Sequence, residues 1–193
     1  DNMGALKERL KPELRELTGL ENVLIVDIYG EYTGTHKDYK SFLLLRRAQI
    51  ENAKTIVLIT SGNQGLSLNR LLEDKFFGYA PEEVIHFVPE DTPEQVIEEL
   101  EKYKFSKVIR WRRDKFLDRK IISELIGKDD YLYAEEEFDS QGFNEILTDL
   151  GILSNVTTSD YVVTPVGTGD LAVAIIHPRI DTFDTFISKT KVV

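Results

Sequence analysis

The chain has no cysteine, which excludes disulfides, thiolate nucleophiles and cysteine-ligated metals. Its three histidines, His36, His86 and His177, stand far apart without any metal-ligand spacing, so no metal is expected. No apolar run approaches the ~18 residues that a membrane span needs. The amino end, DNMGALKERLK, lacks the apolar stretch of a signal peptide, and a cytoplasmic location is the expectation. Positive charge is in deficit: 24 Lys and Arg face 34 Asp and Glu, a net charge of −10. Such a balance argues against nucleic acid as a partner, because phosphate binding needs a basic surface. The acid is spread over helix-like segments such as PEQVIEELEKY, as on an ordinary solvated face. Two phosphate-binding signatures are also missing. The chain has no G-x-x-x-x-G-K-[ST] loop, and GTGDLA lacks the third glycine of a dinucleotide fingerprint.

What is present is a regular alternation. Short β-branched or aromatic runs predict strands at NVLIVDIY (22–29), TIVLIT (55–60), VIHFVP (84–89), KVIRW (107–111) and YVVTPV (161–166), with YLYA (131–134) a weaker candidate. Between them, DYKSFLLLRRAQIENA, QGLSLNRLLEDKF, TPEQVIEELEKYK, DRKIISELIG and SQGFNEILTDLG carry apolar residues three or four apart and predict helices. DTPEQ predicts a helix start with Asp91 or Thr92 as cap and Pro93 in the first turn. Strand and helix in turn imply an α/β fold, a mostly parallel sheet with helices on both faces. The 193 residues suffice for a single α/β unit. They also suffice for two small lobes, about 37–110 as a smaller inserted lobe with 1–36 and 111–193 as the larger. Phe76, Phe77 and Tyr79, close together in LLEDKFFGYA, are expected in the core, and Trp111 in ordinary packing.

Ligands of such folds sit beyond the carboxyl ends of the strands, in the loops that lead into helices. Three loops there are unusually polar: GEYTGTHKD (30–38), TSGNQG (60–65) and PVGTGD (165–170). In the last, Gly167 and Gly169 let backbone N–H groups turn toward an anion, with the Thr168 hydroxyl beside them. In TSGNQG, Thr60, Ser61, Asn63 and Gln64 suit a carboxylate or phenolic oxygen, although Ser61 or Asn63 also suits a helix cap. Lys37 stands where a helix should begin. The positive end of the helix dipole, with burial, would favour its neutral amine, the form that condenses with carbonyls. Lys40, one turn on, is its rival.

Lysine in TGTHKD, asparagine in SGNQG and glycines in PVGTGD, in that order, resemble the fold-type II enzymes that use pyridoxal 5′-phosphate. That family includes threonine synthase, the serine and threonine dehydratases, cysteine synthase and the tryptophan synthase β chain. The T-G-[ST]-x-K-D form around Lys37 is most similar to threonine synthase, and the resemblance spans about residues 20–175, including FDSQGFNEIL. It implies a homodimeric lyase acting on a small amino acid by β or γ elimination or replacement. By the same resemblance Lys37 bonds the cofactor and moves the α-proton, and Asn63 contacts its ring oxygen. Gly167, Thr168 and Gly169 hold its phosphate, while the Thr60–Gln64 loop, chiefly Ser61 and Gln64, holds the substrate carboxylate.

The pattern also departs from the family. Asp170 replaces a small residue, Tyr39 an arginine, and Glu31 and Tyr32 an Asn-Pro pair. The stretch after the phosphate loop is short, leaving Ser188 or Thr190 to meet the pyridine nitrogen. These departures keep open a relative that binds cofactor, amino acid or a partner subunit without turnover. A nucleotide binder that uses GTGD is a further, separate reading.

Overall fold

A computed structural model describes residues 5–9, 24–28, 33–34, 37–134, 161–162 and 191–192 of the chain. The chain divides into two compact units, Asp1–Gly30 with Asp139–Val193, and Glu31–Phe138. In the first unit, β1 (Ala5–Arg9) and β2 (Leu24–Ile28) pair antiparallel, with Ala5 opposite Ile28. There too β7 (Tyr161–Val162) runs parallel to β8 (Lys191–Val192).

The Glu31–Phe138 unit is built as strand and helix in alternation. In chain order it holds α1 (Lys37–Glu51), β3 (Thr55–Ile59), α2 (Asn63–Glu73), β4 (Glu83–Pro89), α3 (Glu94–Glu101), β5 (Ser106–Trp111), α4 (Arg119–Ile126) and β6 (Leu132–Tyr133). The four strands form one parallel sheet in the order β5-β4-β3-β6. The expected α/β architecture is thus the observed one. The unit contains residues 37–110 whole and carries on through α4 to β6, because Ile56 and Val57 of β3 pair with Leu132 and Tyr133. YLYA, the weakest strand candidate, becomes β6 by that pairing.

Period-two alternation assigns the two sheet faces. Ile56, Leu58 and Val84 pack with Leu44, Leu45 and Ala48 of α1 and with Leu68, Leu71 and Leu72 of α2. Val57, Ile85 and Phe87 point the other way, onto Leu117, Ile122 of α4, Tyr131 and Tyr133. Val88 meets Ile97 and Leu100 of α3. Both faces are covered, as a parallel sheet requires. Trp111 packs against the second cluster, as expected.

Two local expectations are corrected. The start of α3 is capped by neither Asp91 nor Thr92; Pro93 holds the cap position with no side-chain bond, and Asp91 instead pairs with Arg113 at 3.1 Å. Proline's preset φ suits that position, and its missing N–H leaves one orphan donor fewer. Phe76 is 46 % exposed, outside the core. It stacks edge-on with Phe42 and Phe77, at ring separations of 5.4 and 5.3 Å, because α2 has already ended at Glu73. The strand β1 had no sequence signal; ALKER is too charged to read as one. The predicted helix at SQGFNEILTDLG lies outside the described residues.

Candidate functional site

Topology places the starts of α1 and α2 at one edge of the sheet. β3 ends at Ile59 and runs through Thr60–Gly62 directly into α2, so α2 starts beyond the carboxyl end of β3. α1 returns through a three-residue turn to the amino end of β3, so it too runs against the strand and begins at the carboxyl edge. A buried hydrogen bond joins the two starts: Ser41 Oγ donates to the Gln64 carbonyl at 2.9 Å.

Lys37 is the first residue of α1 and is half-buried. It stands one helical turn before Ser41, hence on the same face of α1, and helical Cβ atoms lean toward the amino end. That face is the one turned to the start of α2. Lys40 is 1 % exposed, among the fully buried residues of the unit. Between the two lysines, Asp38 is buried and accepts from the Thr33 N–H at 2.9 Å and the Thr33 hydroxyl at 2.7 Å. The aspartate therefore fixes the Thr-Gly turn that leads into α1, and an acid is welcome at that helix end. Tyr39 is 1 % exposed, and its hydroxyl has no hydrogen-bond partner among the described residues. Burial, with the Asp38 charge second, pushes its pKa above the usual phenol range.

The TSGNQG loop is shaped by close backbone approach. Gly62 has φ +135°, and a Cβ there would lie 2.9 Å from Val96 Cγ1, so only glycine fits. A Cβ at Gly65 would lie 2.9 Å from both His86 Nδ1 and Leu100 Cδ2, so glycine lets α2 settle on the sheet. Thr60 is buried, and its Oγ1 accepts from the N–H groups of Gly62 at 3.0 Å and Gly65 at 3.3 Å. Its hydroxyl oxygen is thus engaged in forming the loop. Ser61 and Asn63 are exposed and neither caps the start of α2, where Thr60 Oγ1 takes the Gly65 N–H. Free N–H groups at such a helix start attract an anion. Gln64 is 6 % exposed, and its Nε2 is buried without a partner among the described residues. A buried amide donor left unpaired is costly, and a carboxylate bound at this helix start would satisfy it.

Beneath the loop, His86 is fully buried. Asn69 donates to Leu100 O and to Ser106 Oγ, both at 3.2 Å, so its Oδ1 is left to accept from His86 Nε2 at 3.1 Å. That assigns the proton to Nε2 and leaves Nδ1 without a partner among the described residues, facing Gly65. Burial lowers the His86 pKa to about 3, keeping the ring neutral.

Of the sequence-predicted site residues, the structure brings Lys37, Thr60, Ser61, Asn63 and Gln64 to one edge of one unit. Gly167, Thr168 and Gly169, with Asp170, Ser188 and Thr190, lie outside the described residues. Ser41 was missed; its only sequence signal is a spacing of four from Lys37. Among the described residues, no helix is long and apolar enough to cross a membrane.

A parallel sheet whose lysine-bearing and asparagine-bearing helices start together at the carboxyl edge defines a scaffold of the fold-type II class. The sequence profile of the family described as pyridoxal-phosphate dependent enzymes matches residues 10–193. This chain belongs to that family, and its cofactor is pyridoxal phosphate. Solved structures of fold-type II members resemble it throughout. An O-acetylserine dependent cystathionine beta-synthase from Helicobacter pylori is 14 % identical with a TM-score of 0.67, the match covering 100 % of this chain and 62 % of that one. A hydrogen sulfide-producing enzyme from Fusobacterium nucleatum is 24 % identical with a TM-score of 0.58, covering 88 % and 52 %. An O-ureido-L-serine synthase is 16 % identical with a TM-score of 0.61, covering 88 % and 54 %. The chain thus spans between half and two thirds of the length of these proteins. Among curated proteins, none matches.

Proposed function

We propose that the chain acts as a pyridoxal-phosphate lyase of the threonine synthase type, eliminating or replacing a group at the β or γ carbon of a small amino acid. One observation carries the reading: the starts of α1 and α2 are tied by Ser41 and Gln64, setting Lys37 beside a carboxylate-ready loop. Gln64 Nε2, unpaired among the described residues at the start of α2, fits an amino-acid carboxylate, and the half-buried Lys37 fits a group condensing with its amine. When bound, the cofactor supplies the electron sink for the substrate's α-carbon. The chain's own residues orient and protect. Lys37 Nζ holds the cofactor and then moves the α-proton. The Gln64 amide and the first N–H groups of α2 hold the carboxylate, while exposed Asn63 reaches the ring oxygen. Gly167, Thr168 and Gly169 hold the phosphate in this reading. The T-G-T-H-K-D motif supports the threonine synthase type, whereas the neighbours named for O-ureido-L-serine and cystathionine synthesis support β-carbon chemistry. A cytoplasmic homodimer completes the proposal.

Tyr39 and Asp170, in place of arginine and a small residue, favour a second reading, a relative that binds the cofactor, an amino acid or a partner subunit without turnover. Purified protein is expected to be yellow with pyridoxal phosphate. Borohydride should trap the cofactor on Lys37, as read by peptide mass, and Lys37→Ala should abolish the band. A protein that gains no band sinks the proposal; a band without turnover across a panel of amino acids selects the second reading.

A further inference from the structure

Most of the α1 face that meets α2 is apolar: Leu44, Leu45 and Ala48 continue it into the core with Leu68 and Leu71. Ser41, like Lys37 one turn before it, departs from that apolar pattern in the first turns. It is fully buried, at 0 % exposure, where an alanine or leucine would extend the same seam. A helical serine commonly turns its hydroxyl back to the carbonyl four residues earlier, here that of Lys37. Ser41 instead donates across to the Gln64 carbonyl of α2 at 2.9 Å. That carbonyl faces the ordinary i+4 N–H of its own helix as well, so the fold does not depend on the serine to satisfy it. What the bond adds is axial register. Without it, two parallel helices held by leucines and an alanine can slide on one another at small cost, since dispersion contacts have little direction.

Register matters here because Ser41 stands one turn from Lys37 on its own helix while it holds Gln64 itself on the other. Lys37 stands four residues before Ser41, about 6 Å along α1, and Gln64 is the residue whose carbonyl Ser41 holds. A slide of about 1 Å would move the amine relative to the carboxylate cradle, a displacement of the size that lowers rates of positioned reactions by about a hundredfold.

We propose that Ser41 is a positioning residue, locking the helix of Lys37 to the loop of Gln64 so that both meet one α-amino acid. This rests on the pyridoxal-phosphate reading above.

The test uses the full chain as wild type, Ser41→Ala and Ser41→Cys, the last keeping size with a weaker donor. Three quantities are read: the absorbance band gained with pyridoxal phosphate, the amino-acid concentration that half-shifts that band, and amide exchange at Asn63–Gly65 in protein without cofactor. L-serine, L-threonine, O-acetyl-L-serine and O-phospho-L-homoserine are the probes. Ser41→Ala should keep the band, raise the half-shifting concentration about tenfold and speed exchange at Asn63–Gly65 while β3 and β4 stay protected. Ser41→Cys should fall between the two, and carries the comparison if Ser41→Ala does not fold. Unchanged half-shifting concentrations in both variants, with the wild-type band present, overturn the role of Ser41 alone. A wild type with no band, or with no shift by any probe, overturns the underlying reading and the positioning role with it.

Discussion

At the scale of single residues, His86 shows how burial turns an ordinary side chain into a pH-dependent support. Its ring is neutral, donates to Asn69 and presses Nδ1 against Gly65, with a pKa lowered to about 3 by burial. In the unfolded chain the group regains a pKa near 6.5. Between those values the unfolded state binds the extra proton, so His86 favours folding fully above about pH 6.5, and the contribution is lost as pH falls toward 3. The slope approaches about 1.4 kcal/mol per pH unit for this one group. Urea denaturation at pH 7, 6 and 5 should show the wild type losing stability faster than His86→Gln, which has no proton to gain. Equal slopes for the two proteins would contradict the assignment. Asp38 and Gly62 were readable only as members of polar loops that lead into helices. Their partners, Thr33 and Val96, were not, because each contact is set by how the chain folds back.

At the scale of elements, the helix with the cleanest local grammar is α4. Asp118 accepts from the Ile121 N–H at 2.8 Å at one end, and Gly127, with φ 68°, closes the other through its N–H to Ser123 O. DRKIISELIG carries those signals in plain order. Asp118→Ala should cost about 1 kcal/mol, read as a lower urea midpoint with unchanged m-value. A loss under a few tenths would show that packing of Ile122 alone holds α4. The start of α3 obeyed a weaker rule, with Pro93 at the cap and Asp91 drawn to Arg113. Two cap candidates, Asp91 and Thr92, were visible there, and a cation 22 residues away decided against the first of them. β6 was weak for a related reason: two residues carry almost no periodicity, and only the edge of β3 makes them a strand.

At the scale of the molecule, the Glu31–Phe138 unit holds a complete parallel sheet with covered faces. A fragment of those residues should therefore unfold in one cooperative transition in urea, followed by far-ultraviolet circular dichroism. A gradual, non-cooperative loss would mean that the rest of the chain is needed for its core. Within that unit the sequence order TGTHKD then SGNQG becomes spatial adjacency, because α1 and α2 both run against β3 and so start at its carboxyl end.

What the residues determined unaided was periodic or local: the alternation that makes an α/β chain, the caps of α4, the glycine-bearing turns, and the motif order that marks the family. These are legible because helices and strands repeat at fixed spacings and turns demand particular residue types. The tertiary structure alone decided that Ser41 faces Gln64, that Gln64 keeps an amide unpaired among the described residues, and that Phe76 stays outside. The Ser41–Gln64 contact joins residues distant in sequence, and the free energy of such a contact exists only once packing has brought both partners out of water.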